Sequence, residues 1–126
     1  MAKIRIAQNP SFKATALIPI VGSEPEKIEF TFKYRDRLEL AALFDEWNRN
    51  RKDALTALGD QPSLSEVVAA DAAQQAQQIK DLVVGWSFDD KFDEKNIAAF
   101  VKSCQGATEA VVDAYQGAYN QARLGN

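Results

Sequence analysis

Hydrophobic and polar residues alternate strictly in one stretch near the N-terminus. The apolar positions are every second residue, and they are Ile28, Phe30, Phe32 and Tyr34. A strand with one buried and one solvated face has this period of two, so the pattern predicts a strand over residues 26–35. Residues 12–21 alternate less cleanly and predict another strand, at a sheet edge because Pro19 cannot donate to a ladder. The sequence between them, residues 22–25, has turn chemistry and completes a β-hairpin.

Beyond the hairpin the apolar spacing changes to three and four residues, which is the period of an amphipathic helix. The first such stripe consists of Leu40, Leu43, Phe44 and Trp47. Asp36 and Glu39 fit a capping box at its start. This helix is expected to fray or bend in the polar run over residues 48–53 and to be ended by Gly59.

A second, longer helix is predicted to begin after Pro62, with a capping residue at Ser63. The apolar pattern carries it to about Val84, and Gly85 is expected to end it. Residues 86–94 then form a loop that becomes acidic.

The acidic residues 89–94 precede a third, short helix predicted over residues 93–103. A calcium loop of the EF-hand type needs oxygen ligands at alternate positions and glycine at the sixth, but Lys91 and Glu94 occupy the third and sixth positions. The acids instead suit the helix N-terminus, where Asp93 or a neighbour caps it and complements its dipole. No metal site is predicted here.

A fourth helix is predicted over residues 107–124, with Gly125 suited to its C-cap. Because a two-stranded hairpin is only marginally stable alone, it must pack on the helices. The fold class is therefore α+β, one domain over residues 1–126 with a hairpin at 12–35 and about four helices in 36–126. The apolar hairpin residues are expected to face the helices. The polar ones are expected to face water, and they include Lys27, Glu29 and Lys33.

The middle of the second helix, residues 69–78, consists almost entirely of Ala and Gln. Alanine favours helix strongly but buries little area, so this segment is helical by propensity rather than by packing. It offers a smooth surface that another helix can approach closely, and we predict that a partner binds there. The candidate partner-binding residues are Ala69, Ala72, Gln75, Ala76 and Ile79. A solvent-facing helix made of good helix formers fits the same composition equally well.

The composition argues against catalysis. The chain has 126 residues, a net charge of −3 and no histidine. Without histidine the commonest general base and the commonest metal ligand are missing, and no Walker, GxGxxG or CxxC motif is present. The sequence therefore predicts a protein that is not an enzyme and uses no cofactor.

Charge and hydropathy also argue against nucleic-acid and membrane binding. The basic group at residues 49–52 lacks interleaved aromatics and has acids on both sides, as a solvated helix end does. The longest apolar runs are only a few residues, too short to cross a bilayer. The N-terminal sequence lacks the apolar region of a secretory signal, and the single Cys104 cannot form an internal disulfide, so we expect a cytoplasmic protein.

The second half of the chain contains an ordered set of short motifs. They are Val83-Val84-Gly85-Trp86, Phe92, Asn96, Phe100, Tyr115, Tyr119 and the final residues 122–126. Their order and spacing over residues 79–126 resemble the tail assembly chaperones of long-tailed, siphovirus-type bacteriophages. Members of that family often have a Tyr-Pro-like step between the last two helices, where this chain has Cys104-Gln105-Gly106. Gly106 can supply a sharp turn as well.

The resemblance implies a protein that coats the aggregation-prone tape measure protein and helps bring tail tube subunits to it during tail assembly. It further implies action in the host cell cytoplasm, absence from the finished virion, and contact with the tube protein through a C-terminally extended frameshift product. Coating a long partner needs many copies and modest affinity per copy, so self-association is expected. The alternative is a structural tail or head–tail joining protein that stays in the virion. An enzyme subunit is a third hypothesis, for which the sequence nominates no residues.

Overall fold

The computed structural model describes residues 10–123 of the chain, with side chains as far as residue 120. It has the predicted α+β fold, in which helices cover one face of a small antiparallel sheet. In chain order the elements are β1 (Ser11–Ile18), β2 (Glu26–Lys33), α1 (Arg37–Ala57), α2 (Leu64–Leu82), β3 (Val83–Trp86), α3 (Glu94–Ser103) and α4 (Ala107–Arg123).

The predicted hairpin is confirmed. β1 and β2 pair antiparallel in a regular register that places Phe12 opposite Phe32 and Ala16 opposite Ile28. β1 lies at the edge of the sheet as predicted, although Pro19 follows its last residue rather than lying within it. The turn between the strands contains Gly22 with φ of 82°, a conformation that favours glycine.

A third strand, β3, corrects the sequence prediction for residues 83–86. The second helix was expected to continue to Val84, but α2 ends at Leu82 and β3 pairs antiparallel with β2. β-branched and aromatic residues fit a pleated, half-buried surface, and the second edge of β2 needs a partner for its backbone groups. Just beyond β3, Ser87 extends the pairing, because its N–H donates to the Glu29 carbonyl at 3.0 Å and its Oγ accepts from the Glu29 N–H at 3.0 Å.

The first helix has the predicted capping box. The Glu39 N–H donates to Asp36 Oδ1 at 2.9 Å, and the Asp36 N–H donates to Glu39 Oε1 at 3.0 Å. α1 remains helical through residues 48–53, where fraying or a bend was expected. Gly59 follows the helix with φ of 83°, so the predicted stop is confirmed.

The later helices also begin where side chains can cap them. Ser63 and Glu66 form a second capping box at the start of α2. Asp93 caps α3, as predicted, by accepting a hydrogen bond from the Asn96 N–H at 2.9 Å. The predicted end of the fourth helix at residues 124–125 lies outside the described residues.

The core lies between the sheet and the helices, and both contribute fully buried side chains. The largest of these are Ile18, Phe30, Phe32, Ile79, Leu82, Val83, Val111 and Tyr115. On β2 the predicted alternation is confirmed, because Ile28 is also buried and the intervening charged residues are exposed. Tyr34 is only half-buried, since it lies beyond the end of the strand, where its ring stacks on Tyr119 with centroids 6.2 Å apart.

Candidate functional site: a groove beside the second helix

An open groove lies between α1, α2 and α4. Both α1 and α4 pack against α2, and the channel between them has a volume of about 460 Å³. Its apolar side chains come from the two outer helices and are Phe44, Trp47 and Val112. Five carboxamides line it as well, namely Asn48, Gln74, Gln75, Gln78 and Gln116. Carboxamides both donate and accept hydrogen bonds, so the groove suits a partner with polar and apolar side chains.

Hydrogen bonds fix α1 on α2 beside the groove. The indole Nε1 of Trp47 donates to Asp81 Oδ2 at 2.8 Å, and Gln74 Nε2 donates to the Trp47 carbonyl at 3.1 Å. Gln77 Nε2 donates to the other carboxylate oxygen of Asp81 at 3.0 Å, and Arg35 donates to the Asp81 carbonyl. These bonds hold the groove wall in place without filling the channel.

The charges along the groove are mostly negative. Three carboxylates line it, from Asp71, Glu109 and Asp113, against one guanidinium, from Arg51. Arg51 donates to the Asn48 side chain at 3.2 Å, so it is directed along its own helix. The groove is therefore acidic as a whole, and a positively charged partner segment fits it better than a negative one.

Thr108 lies in the wall of the groove and is almost completely buried, with 2% of its surface exposed. Its hydroxyl has no hydrogen-bond partner among the residues that the structure describes. An unpaired buried hydroxyl is unfavourable, and it identifies this wall as a place where the fold alone leaves a polar group unsatisfied.

The groove continues into a smaller, apolar cleft between the far ends of α1 and α2. This cleft has a volume of about 270 Å³, and its apolar lining consists of Ala54, Leu55, Val67, Val68 and Ala70. Arg51, Asp71 and Gln74 line both the groove and the cleft, so the two form one continuous depression. Leu55 and Val68 are 54% and 56% exposed.

The cleft lies in a part of the helical hairpin that is separate from the core. We call residues 48–71 the distal arm. No residue of this arm is buried, whereas Leu43 and Trp47 of α1 and Ile79 and Leu82 of α2 are. The arm therefore presents apolar side chains that the fold does not use for its own packing.

The five predicted partner-binding residues lie in different environments in the structure. Gln75 lines the groove and Ala69 is exposed. Ala72 and Ala76 are half-buried against the core, and Ile79 is fully buried, because α2 packs with this face on α3 and the sheet. The expectation that Ile79 is open to a partner is therefore corrected, and the accessible face of α2 is the neighbouring one. A binding role for this helix stays a prediction.

Part of the groove was not visible in the sequence. On α2 the stripe of Asp71, Gln74, Gln75 and Gln78 has helical spacing and could have been recognised as one polar face. The contributions of α1 and α4 have no such signal, because only the packing of both helices on α2 brings them together.

The other candidate groups do not form a site. Cys104 is half-buried, and burial raises the pKa of its thiol, as expected for a packed rather than a reactive cysteine. Within residues 10–123 no group of three or more acidic or cysteine side chains could hold a metal ion. None of the helices described is long and apolar enough to span a membrane.

Comparison with known proteins identifies the family. The sequence profile of the phage tail assembly chaperone family matches residues 1–126 of this chain. No curated protein and no solved structure matches the chain. Because the family match includes the hairpin and the distal arm as well as the C-terminal motifs, the protein belongs to the phage tail assembly chaperone family.

Proposed function

We propose that this chaperone binds the tape measure protein, keeps it soluble, and helps recruit tail tube subunits while the tail is built. The observation that supports the proposal most is the open depression formed by the groove and the apolar cleft. A family of tail assembly chaperones must contact tail proteins, and this depression is a large surface that the fold leaves uncovered.

The shape of the depression favours a helical partner segment. An α-helix with its side chains is about 10 Å across, and amphipathic helices commonly dock into grooves between other helices. The walls here are two helices on either side of a third, and apolar side chains line both the groove and the cleft at its arm end. A tape measure protein rich in helix offers many such segments.

Repeated weak contacts suit coating better than one tight contact. Many copies bound along one long partner raise the total affinity far above that of each copy. We therefore propose that the chain self-associates along the tape measure protein, acts in the host cytoplasm, and is released before the virion is complete. A C-terminally extended frameshift product is proposed to contact the tail tube protein.

Co-expression with the tape measure protein of the same phage tests the proposal. The tagged chaperone is expected to move the tape measure protein from the insoluble to the soluble fraction and to retain it on an affinity resin. The matched control is the tape measure protein expressed alone. An insoluble tape measure protein in both cases contradicts the proposed function.

Mass spectrometry of purified virions separates the proposal from its alternative. A chaperone is expected in the lysate during assembly and not in the particles. Stoichiometric amounts of the chain in purified virions would instead support a structural tail or head–tail joining protein.

A further inference from the structure

The depression beside α2 differs in chemistry from one end to the other. The cleft between the helix ends of the distal arm is lined mainly by aliphatic side chains, with Leu55 and Val68 more than half exposed. The groove between α1, α2 and α4 carries the carboxylates of Glu109 and Asp113 on its α4 wall, and Asp71 lies where the groove meets the cleft. A depression that is apolar at one end and acidic at the other distinguishes the two ends of a bound segment.

We propose that this depression receives one amphipathic helix of the partner in a single orientation. The apolar turn of the guest helix lies in the arm cleft, and Lys or Arg side chains from its other end lie over the acidic groove. This inference rests on the proposed function, since the guest helix belongs to the tape measure protein.

Glu109 and Asp113 are the groove carboxylates most available for such contacts, because Asp71 already accepts a hydrogen bond from Gln75 Nε2 at 2.7 Å. The ion pairs within 4 Å found among the described residues join Lys13 to Glu29 and Lys80 to Glu94, and none of them includes a groove acid. Glu109 and Asp113 are exposed, so lysine or arginine side chains of a guest can reach them. Carboxylates without a cation partner among the described residues provide charge complementarity to a basic guest.

The unpaired hydroxyl of Thr108 lies in the same wall as these acids. It is buried in the groove wall and has no partner within the described part of the chain. A small shift of the wall on docking lets a polar guest side chain satisfy it. This observation is independent of the carboxylates and indicates the same end of the depression.

The length of the depression matches a short helical segment. From Phe44 to Leu55 the lining follows α1 for eleven residues, which at 1.5 Å per residue is about 16 Å, or roughly three turns. A guest helix of three turns can place apolar and basic residues at opposite ends. Two well-separated contacts of different chemistry define one orientation and exclude the reverse one.

Two sets of substitutions test the two ends in the co-expressed complex with the tape measure protein. The first set, Glu109→Lys with Asp113→Lys, reverses the charge of the acidic end. The second set, Leu55→Asp with Val68→Asp, makes the apolar end polar. All four residues are exposed, so the variants are expected to fold, which circular dichroism and thermal melting check. Matched controls are Asp89→Lys with Asp90→Lys in the exposed acidic loop, and Val21→Asp in the exposed hairpin turn.

Each set is expected to lower the retained tape measure protein by about tenfold, because charge reversal and loss of apolar burial both weaken an interface. Raising the salt concentration is expected to weaken the wild type and the apolar-end variant, but to have little further effect on the acidic-end variant. The controls are expected to stay within about twofold of the wild type.

A photo-crosslinking amino acid at position 55 and another at position 113 test the orientation. The expected crosslinks join position 55 to an apolar turn and position 113 to a basic turn of the same tape measure segment. Variants of both sets that bind like the wild type, or crosslinks from both positions to either end, overturn the inference while leaving the proposed function intact. A wild-type chain that retains no tape measure protein overturns both.

Discussion

The sheet with its covering helices and the distal arm use apolar residues in opposite ways. In the first region Phe30, Phe32 and Tyr115 are fully buried. In the arm, residues 48–71, no residue is buried. Its large apolar residues Leu55, Leu64 and Val68 are all more than half exposed. The first region gives the fold its stability, whereas the arm is a helical extension whose apolar surface is free for a partner.

The two regions also differ in how their helices are held. α4 is fixed by the Tyr115 hydroxyl, which donates to the Lys33 carbonyl at 2.8 Å, and by Tyr119, which donates to the Arg35 carbonyl. The arm is held by a capping box at Ser63 and by helix propensity. Burial therefore separates the region that stabilises the fold from the region proposed to bind the partner, and substitutions can test each separately.

The largest effect is expected from Phe30→Ala in the centre of the sheet. Phe30 is 0% exposed and its ring lies near those of Phe32, Phe88 and Phe100. Removing a fully buried aromatic ring leaves a cavity and is expected to lower the free energy of unfolding by about 3–5 kcal/mol. Urea denaturation followed by tryptophan fluorescence measures it, and a loss below about 1 kcal/mol would contradict this core.

A smaller loss is expected from Tyr115→Phe. The substitution keeps the ring in the core but leaves the Lys33 carbonyl without its donor. One partly buried hydrogen bond of this kind is expected to contribute about 1 kcal/mol to the free energy of unfolding. The same urea titration measures the difference, and unchanged stability would show that this hydrogen bond does not help to hold α4.

Substitutions in the arm are expected to have little effect on stability. Leu55→Ala and Val68→Ala each remove side chains that are already more than half exposed, so each should cost less than about 1 kcal/mol. They are nevertheless expected to weaken retention of the tape measure protein. A loss of stability as large as that of Phe30→Ala would mean that the arm belongs to the core and that the contrast between the regions fails.

Acid is expected to loosen the start of α2 in the distal arm. Hydrogen bonds from Ser63 lower the pKa of Glu66 below its ordinary value of 4.5. A carboxyl with a lowered pKa stabilises the fold above its unfolded pKa, and this contribution is lost as the pH falls through the folded pKa. Hydrogen exchange at the start of α2, corrected for the intrinsic rate, should therefore speed up below about pH 4.5, and Glu66→Gln should remove that dependence.

The hairpin, the helices and their caps followed from local sequence patterns. Strict alternation on β2 and the capping residues Asp36, Ser63 and Asp93 act over a few residues, so the sequence alone predicts them. The family was also recognised from the order of motifs in the second half, and the match over the whole chain confirms it.

The third strand and the groove could not be predicted in the same way. β3 is four residues long and continues directly from a helix, so its apolar residues also fit the helical pattern until the free edge of β2 is known. On α2, alanine gives no signal of which face is buried. Ala72, Ala76 and Ile79 turned out to face the core, and Gln75 the groove, only because α3 and α4 pack on particular sides.

Hydrogen–deuterium exchange on the chaperone alone and in complex with the tape measure protein tests whether the depression formed by the distal arm and the α4 wall receives the partner. Binding is therefore expected to slow exchange in residues 48–75 and 108–116 and to leave β1 and β2 unchanged. Slower exchange confined to the sheet, with the arm as fast as in the free chain, would contradict the account.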